Sequence, residues 1–150
     1  MLVQVGGCRY GLPMDAVAEV GRPPTLTRVP GLPPWAAGVA NWRGRVLAVL
    51  DLRDLLGDQA AGPSPSALGR RGRLVVLSHT GVRVGLLVES VAGGVAAYPE
   101  HVEPALSHLP ERAGRLLLGQ VTDGAGPYGL IDLDAVLALA DGLPRVRRAG

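Results

Sequence analysis

The stretch GVANWRGRVLAVLDLRDLLG, residues 38–57, decides how the rest of the chain is interpreted. It begins with turn-forming residues, NWRG at 41–44, and continues directly into an apolar run, VLAVL at 46–50. An apolar run bounded by turn residues predicts a strand. Asp51 then precedes a short leucine-rich segment that ends at Gly57, the pattern of a helix with a C-terminal glycine stop. The stretch therefore predicts a hairpin, a stiff strand and a short helix.

The composition indicates a globular protein without an obvious charged ligand. The chain has 150 residues, of which 47% are hydrophobic, and a formal net charge of +2. This length fits one domain or two small packed halves, and the charge is too small to indicate nucleic-acid binding by itself. Lys and Phe do not occur, which is typical of a GC-rich genome.

A single cysteine, Cys8, excludes an internal disulfide and a multi-cysteine zinc site, so we expect a small buried apolar residue there. The first residues, MLVQVGGCRYG, lack the pattern of a signal peptide. No apolar run approaches the ~18 residues that span a bilayer. We therefore expect a cytoplasmic, soluble protein.

Short Val- and Leu-rich runs recur between Gly and Pro residues, which is typical of many short strands. Gly6-Gly7 and residues 78–81 mark two hairpin turns. The predicted strands are residues 2–6, 9–13, 26–29, 45–51, 73–79, 82–88, 95–98, 116–122 and 128–132.

Helix signals are short. They occur in MDAVAEV at 14–20, in DLRDLLG at 51–57 and in DLDAVLALADG at 132–142. Residues 57–72 are a loop by composition, and we expect the basic tail at 144–150 to be mobile.

The chain also repeats itself. GLPMDAVA at 11–18 matches GLLVESVA at 85–92, and VLDLRDLL at 49–56 matches LIDLDAVL at 130–137. Aligning Asp51 with Asp132 places Gly38 opposite Gly119. The repeat predicts two small β-units that pack together, with a boundary near 57–72, because a unit of about 70 residues is marginal alone.

The residues with catalytic potential do not form a recognisable active site. The histidines at 79, 101 and 108 lack metal-ligand spacing, and Ser64 and Ser66 lack the context of a nucleophile. We therefore expect a non-enzymatic protein without metal or cofactor.

Two other motifs have structural interpretations. GRRGR at 69–73 lacks the Lys-Ser/Thr of a phosphate-binding loop and precedes a strand. Asp51 and Asp132 occupy matching positions before short helices, where an Asp side chain caps the helix N-terminus. A small β-barrel that binds nucleic acid stays an alternative, although 3% aromatic residues are few for a stacking surface.

The stretch LTRVPGLPPWAAGVANWRGRVLAVLDLRDLLG, residues 26–57, resembles the CheW-type coupling proteins of bacterial chemosensory systems. The specific part is Asn-x-Arg-Gly followed by Asp-Leu-Arg. The likeness extends to residues 10–20, 81–91 and 119–137 and so covers nearly the whole chain. The sequence departs from the family pattern at Trp42, where an apolar residue such as Leu is usual, and at Ala48, where Pro is common.

The resemblance implies a mainly β fold of two tandem, intertwined, SH3-like five-stranded barrels with short helices. It implies a non-enzymatic adaptor that couples the cytoplasmic tips of chemoreceptors to a histidine kinase, with contact to the membrane only through the receptors. The C-terminal segment is expected to return toward the first half. The resemblance does not locate the kinase-binding surface.

Residue by residue, the resemblance assigns receptor contact to Val17, Glu19, Gly38 and Arg43, and Asn41 is expected to shape the turn that aims Arg43. The side chain of Arg43 should therefore point to solvent or to a partner.

Trp42 has two interpretations. It fills a barrel core, or it is an apolar anchor in the interface, where Trp is enriched.

Overall fold

The structure, a computed structural model, describes residues 1–57, 65–94, 98–104 and 111–143. The strands in these ranges are β1 (Leu2–Val5), β2 (Cys8–Gly11), β3 (Val17–Gly21), β4 (Ala36–Trp42), β5 (Arg45–Asp51), β6 (Arg73–His79), β7 (Val82–Val88), β8 (Ser90–Gly93), β9 (Leu117–Asp123) and β10 (Gly126–Ile131). The α-helices are α1 (Leu52–Leu56), α2 (Glu111–Leu116) and α3 (Leu133–Asp141). Short 3₁₀ turns lie at Met14–Ala16, Pro65–Arg71 and Pro99–His101.

The described strands form two five-stranded sheets. Barrel 1 has the strand order β8-β1-β2-β10-β9, and barrel 2 has the order β3-β6-β7-β5-β4. The predicted fold class, mainly β with two five-stranded units and short helices, is confirmed.

The two barrels exchange strands. The part of the chain before residue 57 gives the hairpin β1–β2 to barrel 1 and β3, β4 and β5 to barrel 2. The part after residue 65 gives the hairpin β6–β7 to barrel 2 and β8, β9 and β10 to barrel 1. Residues 57–72 thus separate the two sequence repeats, although they connect two strands of barrel 2. Each repeat therefore contributes strands to both barrels, and in this sense the barrels are intertwined.

Parallel pairing joins the repeats inside each barrel. In barrel 1, β2 pairs in parallel with β10, and in barrel 2, β7 pairs in parallel with β5. The equivalent hydrogen bonds recur at the start of the helices, where the Asp51 amide donates to the Trp35 carbonyl and the Asp132 amide donates to the Leu116 carbonyl, each at 2.8 Å. The repeat seen in the sequence is therefore also a repeat of the structure.

The repeated glycines mark a second equivalence. A Cβ on Gly38 would lie 2.5 Å from the Thr27 carbonyl oxygen, and a Cβ on Gly119 would collide with the carbonyl oxygen of Glu103. In both barrels this space admits a crossing segment, because Thr27 bridges to Val39 and Glu103 bridges to Gln120. A side chain at either glycine would push that segment away.

The largest hydrophobic cluster draws on both barrels and on the three α-helices. It includes the fully buried Val3 of barrel 1, Leu50 and Leu86 of barrel 2 and Val136 of α3. Smaller clusters fill each barrel separately. Burial at the junction of the barrels therefore holds the two units together.

Several predicted elements are corrected. Residues 14–20 form one 3₁₀ turn and then β3, because Val17 and Val20 pair with β6 and the sheet overrides helix propensity. Residues 26–29 contribute only the isolated bridge at Thr27. Residues 95–97 of the predicted strand 95–98 lie outside the described ranges, so that prediction is not tested.

The strands β4 and β8 and the helix α2 were absent from the predicted elements. Pro65–Arg71, predicted as loop, forms 3₁₀ turns, and His108 and the tail at 144–150 lie outside the described ranges.

The expectation for Cys8 was wrong. Its side chain is exposed, because the residue directly follows the turn at Gly6-Gly7. That turn itself is confirmed, since both glycines have positive φ, as two-residue hairpin turns require.

Asp51 and Asp132 do cap helices. Their carboxylates accept from the amides of Asp54 and Ala135, and α1 ends at Gly57 in the left-handed conformation.

Candidate functional site

The hairpin turn between β4 and β5 has the geometry expected from Asn-x-Arg-Gly. Arg43 and Gly44 both have positive φ, 51° and 79°, and the Gly44 amide donates to Asn41 Oδ1 at 3.0 Å. A non-glycine residue with positive φ is uncommon and is held here by this hydrogen bond. The Arg43 side chain is 73% exposed, so the prediction that it points away from the core is confirmed.

Glu19 connects this turn to β3. Its carboxylate pairs with Arg43 Nε at 2.6 Å and accepts a hydrogen bond from Trp42 Nε1 at 2.8 Å. The Trp42 hydrogen bond, followed by the positive charges of Arg43 and Arg83, lowers the pKa of Glu19 below its usual range. Glu19 is therefore ionised at neutral pH and holds the Arg43 guanidinium beside the barrel.

Trp42 lies partly in the core of barrel 2, as the first of its two interpretations predicts. Its ring is half-buried, packs on the cluster inside barrel 2 and would contact a Cβ on Gly21 at 3.1 Å. The Arg43 guanidinium lies 5.8 Å from the ring centroid on the outer side, a distance suited to a cation–π interaction. Trp42 is thus the point where the barrel core meets the exposed turn.

The structure adds a group of residues that the sequence did not single out. Val46 and Val82 are exposed, at 54% and 39%. The parallel ladder of β5 and β7 pairs Ala48 with Val84, and continuing this register places Val46 beside Val82. The alternation of each strand was visible in the sequence, but their register was not.

The charge around these valines is positive. A groove of about 300 Å³ at the hairpin tips is lined by Trp42, Val46 and two exposed arginines, Arg45 and Arg83. Glu19 is the carboxylate that pairs with Arg43 in this region. The surface therefore suits a partner that combines apolar and acidic groups.

The two remaining predicted residues have mainly structural positions. Gly38 is buried in β4 with φ of 145° against the backbone of Thr27. Val17 begins β3, pairs with Leu77 and packs partly on the central cluster. The structure joins Glu19, Asn41 and Arg43 at one turn, while Gly38 and Val17 lie on the strands that position it.

Metal-ligand groups and membrane-spanning helices are both absent from the described residues. These residues contain no group of three His, Cys, Asp or Glu side chains placed to hold a metal ion. His79 pairs with Asp134 at 2.9 Å, and His101 stacks edge-on against Tyr98. Nor does any helix in the described ranges have the length and apolarity to cross a bilayer.

Comparison with known proteins agrees with this architecture. The model of the CheW-like domain matches residues 1–141. The chain belongs to the CheW-like domain family. The CheW-like assignment covers both barrels and the hairpin turn at Arg43, and it gives no support to the nucleic-acid alternative.

Proteins similar to this chain come from several bacteria. The chemotaxis protein CheW of Klebsiella aerogenes is 24% identical over 92% of this chain and 80% of its own. The protein PilI of Pseudomonas aeruginosa is 39% identical over 60% of this chain, a match that covers 48% of PilI, about half its length.

A crystal structure shows the same fold. The scaffolding protein TtCheW of Thermoanaerobacter tengcongensis superposes with a TM-score of 0.73 at 22% identity, covering 88% of this chain and 82% of that one. The two barrels are therefore SH3-like, as the CheW-like fold predicted.

Proposed function

We propose that this CheW-like protein is a non-enzymatic adaptor that couples the cytoplasmic tips of chemoreceptors to a histidine kinase. The observation that carries the proposal is the turn at Asn41–Gly44, where the family signature presents an exposed Arg43 held by Glu19. On this proposal the protein works in the cytoplasm, reaches the membrane only through receptors and needs no cofactor.

The proposed receptor surface consists of Glu19, Asn41 and Arg43, with Val17 and Gly38 as positioning residues. A chemoreceptor tip is a helical hairpin, which presents rows of side chains and occasional carboxylates. Arg43 offers a planar set of donors that matches a carboxylate or a carbonyl oxygen. Val46 and Val82 supply the apolar area beside it.

Preorganisation supports this assignment. The Asn41 hydrogen bond, the positive φ values and the Glu19 pair fix the turn before a partner arrives. Less conformational entropy is then lost on binding. The same pairing neutralises part of the Arg43 charge, so a competing carboxylate must offer better geometry than Glu19.

The test is titration of a receptor-tip fragment against the wild-type protein, Arg43→Ala and the control Arg28→Ala. Arg28 is exposed and lies on the segment before β4, outside the turn at Asn41–Gly44. Arg43→Ala should weaken receptor binding about ten- to a hundred-fold, or about 1.4–2.8 kcal/mol. Its stability should change by no more than about 0.5 kcal/mol, and Arg28→Ala should bind normally.

A second titration uses the regulatory domain of the histidine kinase. Its affinity should be the same for wild type and for Arg43→Ala, since the proposal assigns that contact to another surface. If the wild-type protein binds neither fragment, the adaptor function is wrong. If it binds both and Arg43→Ala changes neither affinity, only the site is wrong.

A further inference from the structure

The hairpin ends of the two barrels correspond residue by residue. In barrel 1, Arg9 of β2 pairs with Tyr128 of β10. In barrel 2, continuing the parallel ladder of β7 and β5 by one residue places Arg83 beside Leu47. The repeat in the sequence gives the same alignment. Arg9 and Arg83 therefore occupy equivalent positions at the ends of their barrels.

In barrel 1 this arginine is neutralised by a carboxylate of the same chain. The two terminal nitrogens of Arg9 bind Asp123 at 2.7 and 3.0 Å, and Nη2 also donates to the Gly126 carbonyl at 2.7 Å. The guanidinium lies 5.5 Å from the centroid of the Tyr128 ring. A bidentate pair of this kind is the strongest arrangement that Arg forms with a carboxylate. Barrel 1 therefore shows how an arginine at this position binds an acid.

Barrel 2 has no carboxylate at the equivalent place. By the repeat, Trp42 replaces Asp123. Arg45 replaces Gly126 and pairs with Trp42 across the hairpin, as Gly126 pairs with Asp123. Among the residues that the structure describes, neither Arg45 nor Arg83 has a carboxylate within salt-bridge distance. Barrel 2 thus presents two guanidinium groups where barrel 1 has one arginine and its acid.

Glu19 already has other partners. Its two oxygens pair with Arg43 Nε at 2.6 Å and with Trp42 Nε1 at 2.8 Å. The Trp42 hydrogen bond and then the Arg43 contacts lower the pKa of Glu19, and the charge of Arg83 contributes least. Glu19 therefore leaves the positive charges of Arg45 and Arg83 largely uncompensated.

The two arginines border a groove that can receive a side chain. Its volume is about 300 Å³, and Trp42 and Gly81 also line it. Leu47 and Val76 are its buried apolar residues, whereas both arginines are exposed. A carboxylate on a short apolar stem, as in Asp or Glu, matches an apolar groove with a cationic rim.

We propose that Arg45 and Arg83 form a carboxylate-binding site for a Glu or Asp side chain of a partner protein, in the place that Asp123 occupies in barrel 1. The site adjoins the turn at Arg43, and Trp42 belongs to both, so we assign the acidic side chain to the chemoreceptor tip. That assignment rests on the proposed function, whereas the site itself does not. Arg45 and Arg83 then distinguish receptors that carry an acidic residue here from receptors that lack one.

The probe is hexaglutamate, acetylated at its N-terminus and amidated at its C-terminus so that only the side chains are charged. It is titrated into the full chain at low ionic strength. The readout is NMR of the Trp42 indole N–H and of the backbone amides of Arg45 and Arg83. Hexaglutamine is the matched control peptide. We expect saturable shifts with hexaglutamate that weaken as salt is raised, and none with hexaglutamine.

Single variants test each arginine. Arg45→Gln and Arg83→Gln should each weaken hexaglutamate binding about two- to ten-fold, since each removes a charge-assisted contact. Arg28→Gln, at an exposed arginine that does not line the groove, should bind like the wild type.

A carboxylate placed inside the chain should compete with the peptide. Ser78 pairs with Arg83 across β6 and β7, so its side chain lies on the same face of the sheet. Ser78→Glu should therefore abolish hexaglutamate binding while both arginines are present. Ser78→Gln has the same size without the charge and should bind the peptide.

The carboxylate site is overturned by three results, namely no saturable binding of hexaglutamate, equal binding of hexaglutamine, or unchanged binding when Arg45→Gln and Arg83→Gln are combined. A single-stranded oligonucleotide of equal charge that binds as tightly also overturns it, because the site would then not select carboxylates.

A receptor-tip fragment is titrated separately against the same variants. If hexaglutamate binding requires the two arginines and receptor binding does not, the assignment to the receptor is wrong. If hexaglutamate binds through them and no receptor-tip fragment or kinase domain binds, the site is correct and the adaptor function is wrong.

Discussion

Glu19 accepts a hydrogen bond from Trp42 Nε1 at 2.8 Å, although β3 and β4, which carry them, are the two edge strands of the same sheet. The bond closes the sheet on itself at the tip of the barrel. Gly21, two residues further along β3, leaves room for the Trp42 ring to reach the seam. The contact therefore serves both the closure of barrel 2 and the placement of the Arg43 turn.

The two roles of Glu19 are separable by substitution. Glu19→Gln keeps an oxygen acceptor for Trp42 but loses the charge that pairs with Arg43, whereas Glu19→Ala leaves the indole N–H without its partner. We expect a lower urea midpoint for Glu19→Ala than for Glu19→Gln, measured by tryptophan fluorescence. In a Trp42→Phe background the two variants should have equal midpoints, and a persistent difference there would contradict this account.

Acid should weaken barrel 1 through Asp123. Hydrogen bonds from Arg9, at 2.7 and 3.0 Å, and from the Ala125 amide lower the pKa of Asp123 from 3.8 to about 2. The unfolded chain therefore takes up this proton at a higher pH than the folded chain. The stabilisation is complete above about pH 5 and is lost as pH falls from there toward 2.

The measurement is urea unfolding of wild type and Asp123→Asn at several pH values. The free energy of unfolding should fall less between pH 5 and pH 2 in Asp123→Asn than in wild type. Asp141→Asn, an exposed acid at the end of α3, provides the control and should follow the wild-type curve. Parallel curves for all three proteins would exclude the contribution of Asp123.

Gly38 is expected to act through the fold rather than through direct contact. In Gly38→Ala the new Cβ meets the Thr27 carbonyl at 2.5 Å and forces the crossing segment outward. We expect a loss of about 1–3 kcal/mol in the free energy of unfolding, and a similar loss for Gly119→Ala in barrel 1. Gly44 also has positive φ, but a Cβ there would meet open space. Gly44→Ala should therefore lower the free energy of unfolding by only about 1–2 kcal/mol. Receptor binding that falls in Gly38→Ala without loss of stability would instead favour direct contact.

The two helix caps should differ in strength. Asp132→Ala removes one bond at a half-buried position and should cost about 0.5–2 kcal/mol. Asp51→Ala removes the equivalent capping bond and also leaves the Ser66 amide without its acceptor. Asp51 is fully buried. Its cost should exceed that of Asp132→Ala by about 1–3 kcal/mol, measured by chemical denaturation. Equal costs would show that Pro65–Arg71 stays in place without Asp51.

Much of the fold could be predicted because the repeat constrains it. Aligning Asp51 with Asp132 also aligned Gly38 with Gly119. The two aspartates both cap helices, and the two glycines both lie against a crossing backbone segment. The strand β4 was missed because its residues are small and include Gly38 and Asn41, which locally favour turns. Its strand conformation comes from pairing with β5, a tertiary effect that a local pattern does not carry.

The candidate site was predictable only in part. Asn41 and Arg43 were assigned from a short motif, and the turn they form depends mostly on neighbouring residues. The pairing of Glu19 with Arg43 depends on closure of the sheet, which no spacing along the chain reveals. The apolar pair of Val46 and Val82 depends on the parallel register of β5 and β7, which is likewise a property of the assembled barrel.

The exchange of hairpins also sets an order in time, because a chain leaves the ribosome N-terminus first. All five strands of barrel 2 have been synthesised once Val88 has emerged, so that barrel can close early. The hairpin β1–β2 is made first of all, but its neighbour β10 ends only at Ile131. An isolated hairpin is only marginally stable. The hairpin β1–β2 is therefore synthesised first but completes its sheet last, and until then its strand edges are unpaired.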